Sequence, residues 1–331
     1  MSAANAPIDE DALIAEIFAP IATSAAADGI ADDAATLATH EETVVTCDAL
    51  ASGVHFFAQD PPDTIAAKAL RVNLSDLAAK GAEPFAYLLT LALGAGATLE
   101  WVRAFADGLN RDHGRFGVEL LGGDTLRASP GGGTTISITA FGRTAPGAIV
   151  RRRSARPGDK LVVTGTIGDA ALGLVLRRDE GPPHLPAVHR EALLARYLWP
   201  EPPVAAWRAV RSHARAAMDV SDGLIGDALK LCRSAAVCAV IEVDEVPLSP
   251  AARAFITGGG EPARDLALTG GDDYQILAAV APEKVNAYCS DCRSHDIATS
   301  VIGELHEGRP GVSLLERGAP ISVDDRRFQH F

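Results

Sequence analysis

The sequence predicts a mixed α/β (α+β) protein of two domains, and three observations carry that expectation. The chain has 331 residues, more than one ordinary core organises. Short aliphatic and β-branched runs of strand length stand beside longer amphipathic stretches of helical period. The two kinds of segment do not alternate strictly, which favours a mixed arrangement over a dinucleotide-binding parallel sheet.

Taken in order, an acid-started amphipathic helix is expected over residues 9–18, followed by a Gly/Asp-rich turn at 28–35. A strand at 43–48 leads into a flexible segment containing His55. A long helix over 64–80 starts after Pro61-Pro62-Asp63 and stops at Gly81. A buried strand at 85–93 precedes a helix at 99–113 with Val102, Phe105, Ala106 and Leu109 on one face. Strands at 116–121 and 134–141 flank the loop Pro130-Gly131-Gly132-Gly133. Pro146-Gly147 and Pro157-Gly158, with Arg151-Arg152-Arg153 between them, mark a boundary and divide the chain into 1–148 and 149–331. Beyond it come a strand at 160–164, a helix at 168–176 and two further helices. A strand at 214–219, a helix at 224–234 and a strand at 238–243 follow. Strands at 274–281 and 299–303 enclose a last helix.

Composition excludes several functions. Hydrophobic residues make up 47% of the chain, ample for burial. A formal net charge of −13 argues against a nucleic-acid surface. It leaves room for an anionic substrate, because bound metal reverses the local sign. No uninterrupted apolar stretch reaches the roughly 18 residues a membrane span needs. Residues 1–10 carry neither a basic nor an apolar leader region, so a cytoplasmic location is expected. The five cysteines do not form a disulfide framework, and Cys289-Ser290-Asp291-Cys292 lacks the second pair a zinc site requires.

The chemistry lies in the acids. Three apolar runs end on aspartate: 43–48 on Asp48, 118–124 on Asp124, and 216–222 on Asp219 and Asp222. Each run reads as a buried strand, and acids at strand C-termini face the crevice where α/β folds bind ligands. Asp32, Asp33 and Asp76 join them. So many carboxylates share a dry pocket only if cations neutralise them. Hard oxygen donors, mostly without His or Cys beside them, suit Mg²⁺. Magnesium among Gly-rich turns points to a phosphate-handling enzyme. Neither a P-loop nor the protein-kinase H-R-D and D-F-G motifs occur, so nucleotide would rest on metal–carboxylate contacts and backbone amides. Singly, each residue has a plainer reading. Ser221 or Asp222 can cap a helix, Asp48 or Asp124 can sit in a turn, and Asp76 can pair with Lys80 one turn on. His55 can be a loop histidine and the three arginines a solvated linker.

Together the segments resemble one family. Gly29-Ile30-Ala31-Asp32-Asp33-Ala34-Ala35 is similar to its G-I-G-D-D-A-A signature. Thr46-Cys47-Asp48 with Ser52-Gly53-Val54-His55-Phe56 is similar to its T-D…G-x-H-F element, and residues 68–82 match its long helix. Gly122-Gly123-Asp124-Thr125, Arg156-Pro157-Gly158-Asp159, Val163-Thr164-Gly165-Thr166-Ile167-Gly168-Asp169, Asp219-Val220-Ser221-Asp222-Gly223-Leu224 and Thr269-Gly270-Gly271-Asp272-Asp273-Tyr274 follow in the family's order. The chain thus resembles the thiamine-monophosphate kinases, of the aminoimidazole-ribonucleotide-synthetase-like superfamily.

The resemblance implies transfer of the ATP γ-phosphoryl group to thiamine monophosphate. It implies an N-terminal α/β domain, whose strands form a barrel across a homodimer, and a C-terminal α/β domain. Asp33, Asp48, Asp76, Asp124, Asp219 and Asp222 would hold Mg²⁺, with ligand oxygens added by Thr46 and Cys47. Asp48, Asp124 and Asp222 would form the catalytic centre. Gly123, Asp124, Arg152 and Ser221 would contact ATP, and His55 and Asp272 thiamine monophosphate. The acceptor is already anionic, so direct in-line transfer without a general base or phosphoenzyme is expected. The chain departs from the family pattern at Ala31, Cys47, Asp272 and Asp325, where Gly, Ser or Thr, Glu and, in some members, an aromatic residue stand. Competing readings are another ATP-dependent synthetase of the superfamily, a sensor of ATP or thiamine phosphates, and a generic Mg²⁺ phosphohydrolase.

Overall fold

A computed structural model describes residues 35–38 and 41–323. The expected helix at 9–18, the segment carrying Asp32 and Asp33, and Asp325 lie outside the described residues.

The first sheet comprises β1 (Ala35–Ala38), β2 (Glu42–Ala51), β3 (Glu83–Leu93), β4 (Glu119–Arg127) and β5 (Thr135–Thr144), in the order β1-β2-β5-β3-β4. It is an open sheet among the described residues. Helices α1 (Pro62–Ala79) and α2 (Leu99–Phe116) pack together, with α1 on the sheet. Their core includes Val44, Leu50, Leu70, Leu74, Tyr87, Phe105 and Ile138. Thr98 caps α2 by accepting from the Trp101 N–H, and Gly117 closes it in the left-handed region at φ +67°.

The second sheet comprises β6 (Lys160–Thr164), β7 (Ala214–Val220), β8 (Cys238–Glu242), β9 (Gln275–Val280), β10 (Thr299–His306), β11 (Gly311–Glu316) and β12 (Ala319–Ile321). Its order is β12-β11-β8-β10-β6-β9-β7. The helices are α3 (Asp169–Arg177), α4 (Ala187–Leu198), α5 (Trp207–His213), α6 (Leu224–Ala235), α7 (Pro250–Thr269) and α8 (Val285–Arg293). Among the described residues no helix is long and apolar enough to cross a membrane.

Helix α1 ties the two sheets together. Pro62 and Asp63 suit its first turn, and its alanines and leucines are strong helix formers. It contacts β2, β3 and β5 on one side and β7 and β9 on the other. Every residue from Thr64 to Ala79 is therefore buried, including Lys68, Arg71, Asn73, Ser75 and Asp76. A helix buried all round must find partners for each polar side chain it carries. Arg71 illustrates this: it grips both Asp112 oxygens at 2.8 Å from Nε and Nη2, and donates to the Pro200 carbonyl at 2.8 Å.

Several expectations need correction. Asp48 and Asp124 do not end their strands: β2 runs on to Ala51 and β4 to Arg127. Residue 116 remains helical, and β4 is not buried. It is an exposed edge strand with Leu120, Leu121 and Leu126 open to solvent. Helix α7 was not among the expected elements; it contains Gly258-Gly259-Gly260 and Pro262, which disfavour helix. They do break it locally, at Gly260 with φ +66°, but helix resumes on both sides. The β11–β12 hairpin also went unanticipated.

Candidate active site

Strand β2, helix α1 and strand β7 bring acids together from distant parts of the chain. The two-residue period puts Val44, Thr46, Asp48 and Leu50 on the face of β2 that α1 covers. Thr46 Oγ1 donates to Asp76 Oδ2 at 2.5 Å. The Asp48 N–H donates to Asn73 Oδ1 at 3.0 Å, and Asn73 Nδ2 donates to the Ala69 carbonyl at 3.0 Å. Asn73 and Asp76, one turn apart, present one face of α1 to β2.

The carboxylates sense one another. Burial, followed by the charge of Asp222, pushes the Asp48 carboxyl up to about 6. Burial, then Asp227 and Asp48, pushes Asp219 up to about 7. Asp76 is raised well above the usual carboxylate range by burial, then by Asp219 and Asp48. The Thr46 hydroxyl and the Lys80 charge pull it back only in part. Lys80, fully buried, also donates to the Ala217 carbonyl at 2.8 Å, so it joins α1 to β7.

Beyond β7 the chain turns through Ser221 and Asp222 into α6. Gly223 makes the turn at φ +100°, where an added Cβ would lie 2.2 Å from the Thr269 carbonyl oxygen. Asp227, in the first turn of α6, accepts from the Ser221 N–H at 3.0 Å and the Asp222 N–H at 2.9 Å through Oδ2. Lys230 is paired with Asp222 and lies 3.3 Å from Asp227 Oδ1. Sequence reasoning missed Asp227 and Lys230, though an acid in the first turn after Asp-Gly was a legible signal. The short 3₁₀ turn Arg152–Ser154 packs on β7 and α6, and the Arg152 charge reaches Asp219 and Asp227.

The loop between α7 and β9 closes the other end. Asp272 and Tyr274 both sit in the left-handed region, at φ +73° and +51°. Their N–H groups donate at 2.8 Å to the carbonyls of Ser221 and Val220, respectively. Backbone strain of this kind is held only where the surroundings over-determine it. Lys68 Nζ joins this loop to the segment after β2: it donates to Asp272 Oδ2 at 2.6 Å and to the His55 carbonyl at 3.3 Å. His55 Nδ1 accepts from the Ala51 N–H at 3.0 Å.

Gly123 and Asp124 stand apart. Asp48 lies opposite Ile138, Ile138 opposite Leu89, and Leu89 opposite Gly123. Three strand spacings place Gly123 about 14 Å from Asp48. A Cβ on Gly123 would fall 1.7 Å from the Leu89 carbonyl oxygen, so only glycine fits there. The Cys47 side chain points to the opposite face of β2, where Sγ lies 3.4 Å from Ser137 Oγ.

Among the described residues no three His, Cys, Asp or Glu side chains converge closely enough to hold a cation alone. The donor set still fits Mg²⁺, which is commonly held by one or two carboxylates, waters and substrate phosphates rather than by a closed protein cage. Desolvated acids that repel one another need such a charge.

Residues 31–144 match the family model of the AIR synthase related protein N-terminal domain, and 156–314 that of the C-terminal domain. Thiamine-monophosphate kinase of Caulobacter vibrioides is 38% identical over 99% of this chain and 92% of its own length. Among solved structures, AaThiL complexed with AMPPCP and TMP superposes with a TM-score of 0.84 at 29% identity, covering 98% of this chain and 97% of the other. Thiamine-monophosphate kinase from Stenotrophomonas maltophilia K279a gives 0.76 at 37% identity, covering 88% and 90%.

Proposed function

The chain belongs to the thiamine-monophosphate kinase family of AIR synthase related proteins, and from that membership we propose that it transfers the γ-phosphoryl group of ATP to thiamine monophosphate, giving thiamine diphosphate and ADP. The observation that carries this reading is the meeting of Asp48 and Asp76 with Asp219 beside the Asp222 turn. Acids from both halves of the chain come within reach of one another's charge, and burial and mutual repulsion hold their carboxyls above the usual range.

Asp48, Asp76, Asp219 and Asp222 are the Mg²⁺ ligands of this reading. Asp33 and Asp124 complete the set, with the Thr46 hydroxyl and the Cys47 carbonyl as further oxygens. Bound Mg²⁺ would neutralise the triphosphate and acceptor phosphate, which otherwise repel. Asp48, Asp124 and Asp222 are the catalytic acids of this reading: Asp48 and Asp222 flank the transferring group, whereas Asp124, three strands from Asp48 across the first sheet, serves the nucleotide end. Gly123, Asp124, Arg152 and Ser221 hold ATP, with the Arg152 guanidinium supplying positive charge next to Asp219 and Asp227. His55 and Asp272 hold the acceptor. Its phosphate is already an anionic nucleophile, so the residues need only align it for direct in-line transfer.

The exposed β4 edge, with Leu120, Leu121 and Leu126, supports a homodimer in which that edge is covered. Such pairing would close the first sheet into the barrel the family resemblance implies. Residues 1–148 then serve ATP, metal and dimerisation, and 149–331 complete the site. We assign the protein to the cytoplasm.

Incubation of the purified protein with Mg-ATP, with and without thiamine monophosphate, and mass detection of products tests this directly. Thiamine diphosphate is expected only when both substrates and Mg²⁺ are present. ATP bound without turnover would favour the sensor reading, and ADP formed equally without acceptor would favour a phosphohydrolase.

A further inference from the structure

Lys68 is the least expected charge in the molecule. It lies in the middle of the buried helix α1 and is 3% exposed. A lysine that far from water persists only if its ammonium is fully engaged. Its partners converge from three parts of the chain. Nζ meets Asp272 Oδ2 at 2.6 Å, the His55 carbonyl at 3.3 Å, and the Tyr197 ring face at 4.3 Å from its centroid. Tyr197 is itself fixed, donating from its hydroxyl to Asp60 Oδ2 at 3.1 Å, while Arg177 Nε holds Asp60 Oδ1 at 2.7 Å. The second Asp272 oxygen is also held, since the Tyr274 hydroxyl donates to Oδ1 at 2.9 Å.

The two residues assigned to the acceptor thus meet through one ammonium. Asp272 is one carbon shorter than the glutamate usual at this position, and side-chain reach alone does not fix it. Lys68 and Tyr274 engage both carboxylate oxygens, while the side chain stays about one-third exposed at 32%. The pair carries no net charge. Asp272 therefore faces a ligand as an oriented hydrogen-bond acceptor with remaining lone pairs, not as a bare counter-ion.

We propose that Lys68 is a positioning residue for the phosphoryl acceptor: anchored on Tyr197, it fixes the Asp272 carboxylate and the His55 loop in one geometry, so that acceptor recognition depends on it and nucleotide binding does not. This rests on the functional reading above. The nucleotide residues Ser221 and Arg152 lie in the turn between β7 and α6 and in the adjoining 3₁₀ turn; Ser221 meets Asp272 through backbone alone, its carbonyl accepting from the Asp272 N–H at 2.8 Å, whereas Lys68 holds the Asp272 side chain.

Lys68→Met keeps the stem length and removes the ammonium. Its KM for thiamine monophosphate should rise by about tenfold or more, the scale of a lost charge-assisted hydrogen bond. Its KM for ATP should stay within about twofold. Tyr274→Phe removes one neutral donor and should shift the same constant in the same direction by about threefold. That variant carries the test if Lys68→Met does not fold. In an Asp272→Asn background, Lys68→Met should add little to the loss already present, a coupling that general loosening of α1 would not produce. Equal rises in both KM values, or full additivity with Asp272→Asn, would overturn the inference. Wild-type turnover of thiamine monophosphate separates the two claims. Its absence defeats the functional reading, whereas its presence without a selective loss in the variants defeats only the role of Lys68.

Discussion

Cys47 and Asp48 are neighbours in β2, but the pleat sends their side chains to opposite faces of the sheet. Asp48 faces α1 and the acids, whereas the Cys47 thiol faces Ser137. The departure from the family's Ser or Thr at 47 is therefore harmless if the carbonyl is the ligand. Cys47→Ser should leave both turnover and the Mg²⁺ concentration for half-maximal rate within about twofold of wild type. A clear gain in Mg²⁺ affinity, measured by metal titration of the rate, would return the side chain to the site. Asp48→Asn tests the opposite case. The Asn73 contact is made by the residue 48 backbone N–H, so the fold should survive, and loss of one like charge relieves repulsion with Asp222. Turnover should fall by at least about 100-fold while the melting temperature holds or rises. Near-normal activity would remove Asp48 from the catalytic centre. Asp227 offers a related check: Asp227→Ala strands the Ser221 and Asp222 N–H groups and should cost about 2–4 kcal/mol in urea unfolding. An unchanged midpoint would show that solvent replaces those bonds.

The elements show what sequence can and cannot reveal. Helix α1 was legible almost to its ends because Pro62 and Gly81 punctuate an Ala- and Leu-rich run free of internal Gly and Pro. Its depth was not, since the second sheet covers the side that the first sheet leaves open, from some two hundred positions away in the Lys68–Asp272 contact. Asp48, Asp76 and Asp219 could be picked out as acids beside apolar residues. Their meeting depends on β2, α1 and β7 packing together, which no local pattern encodes. Lys68 and Asp227 were missed because a lysine in a helix and an acid in a first turn ordinarily face water. The exposure of β4 was misjudged because an aliphatic run reads the same at a sheet's centre and at its edge. Gly223 shows an element's dependence on a single turn. At φ +100° and 2.2 Å from the Thr269 carbonyl oxygen, Gly223→Ala should destabilise by at least about 2 kcal/mol. Denaturant unfolding would show it, and a neutral effect would mean that the turn into α6 is plastic.

At the scale of the whole molecule, α1 is both structural core and site wall. It carries Asn73 and Asp76 to the acidic centre, Lys68 to Asp272, and Lys80 to β7. The sheets therefore cannot separate without opening the site. Among the described residues the β4 edge is an uncovered strand with exposed Leu120, Leu121 and Leu126. If a second copy covers it, the particle in solution should have about twice the 34.4 kDa chain mass. Leu121→Glu should then reduce it to one chain, as read by light scattering on a sizing column. A wild-type protein that is monomeric at micromolar concentration would contradict that assembly. The central claim is phosphoryl transfer to thiamine monophosphate at the acidic centre, and one side-by-side measurement tests it. Thiamine diphosphate formed from Mg-ATP and thiamine monophosphate is quantified by mass for wild type and Asp48→Asn, both verified as folded. Product from the wild type and almost none from the variant is the predicted result; no product from either, or equal product from both, would contradict it.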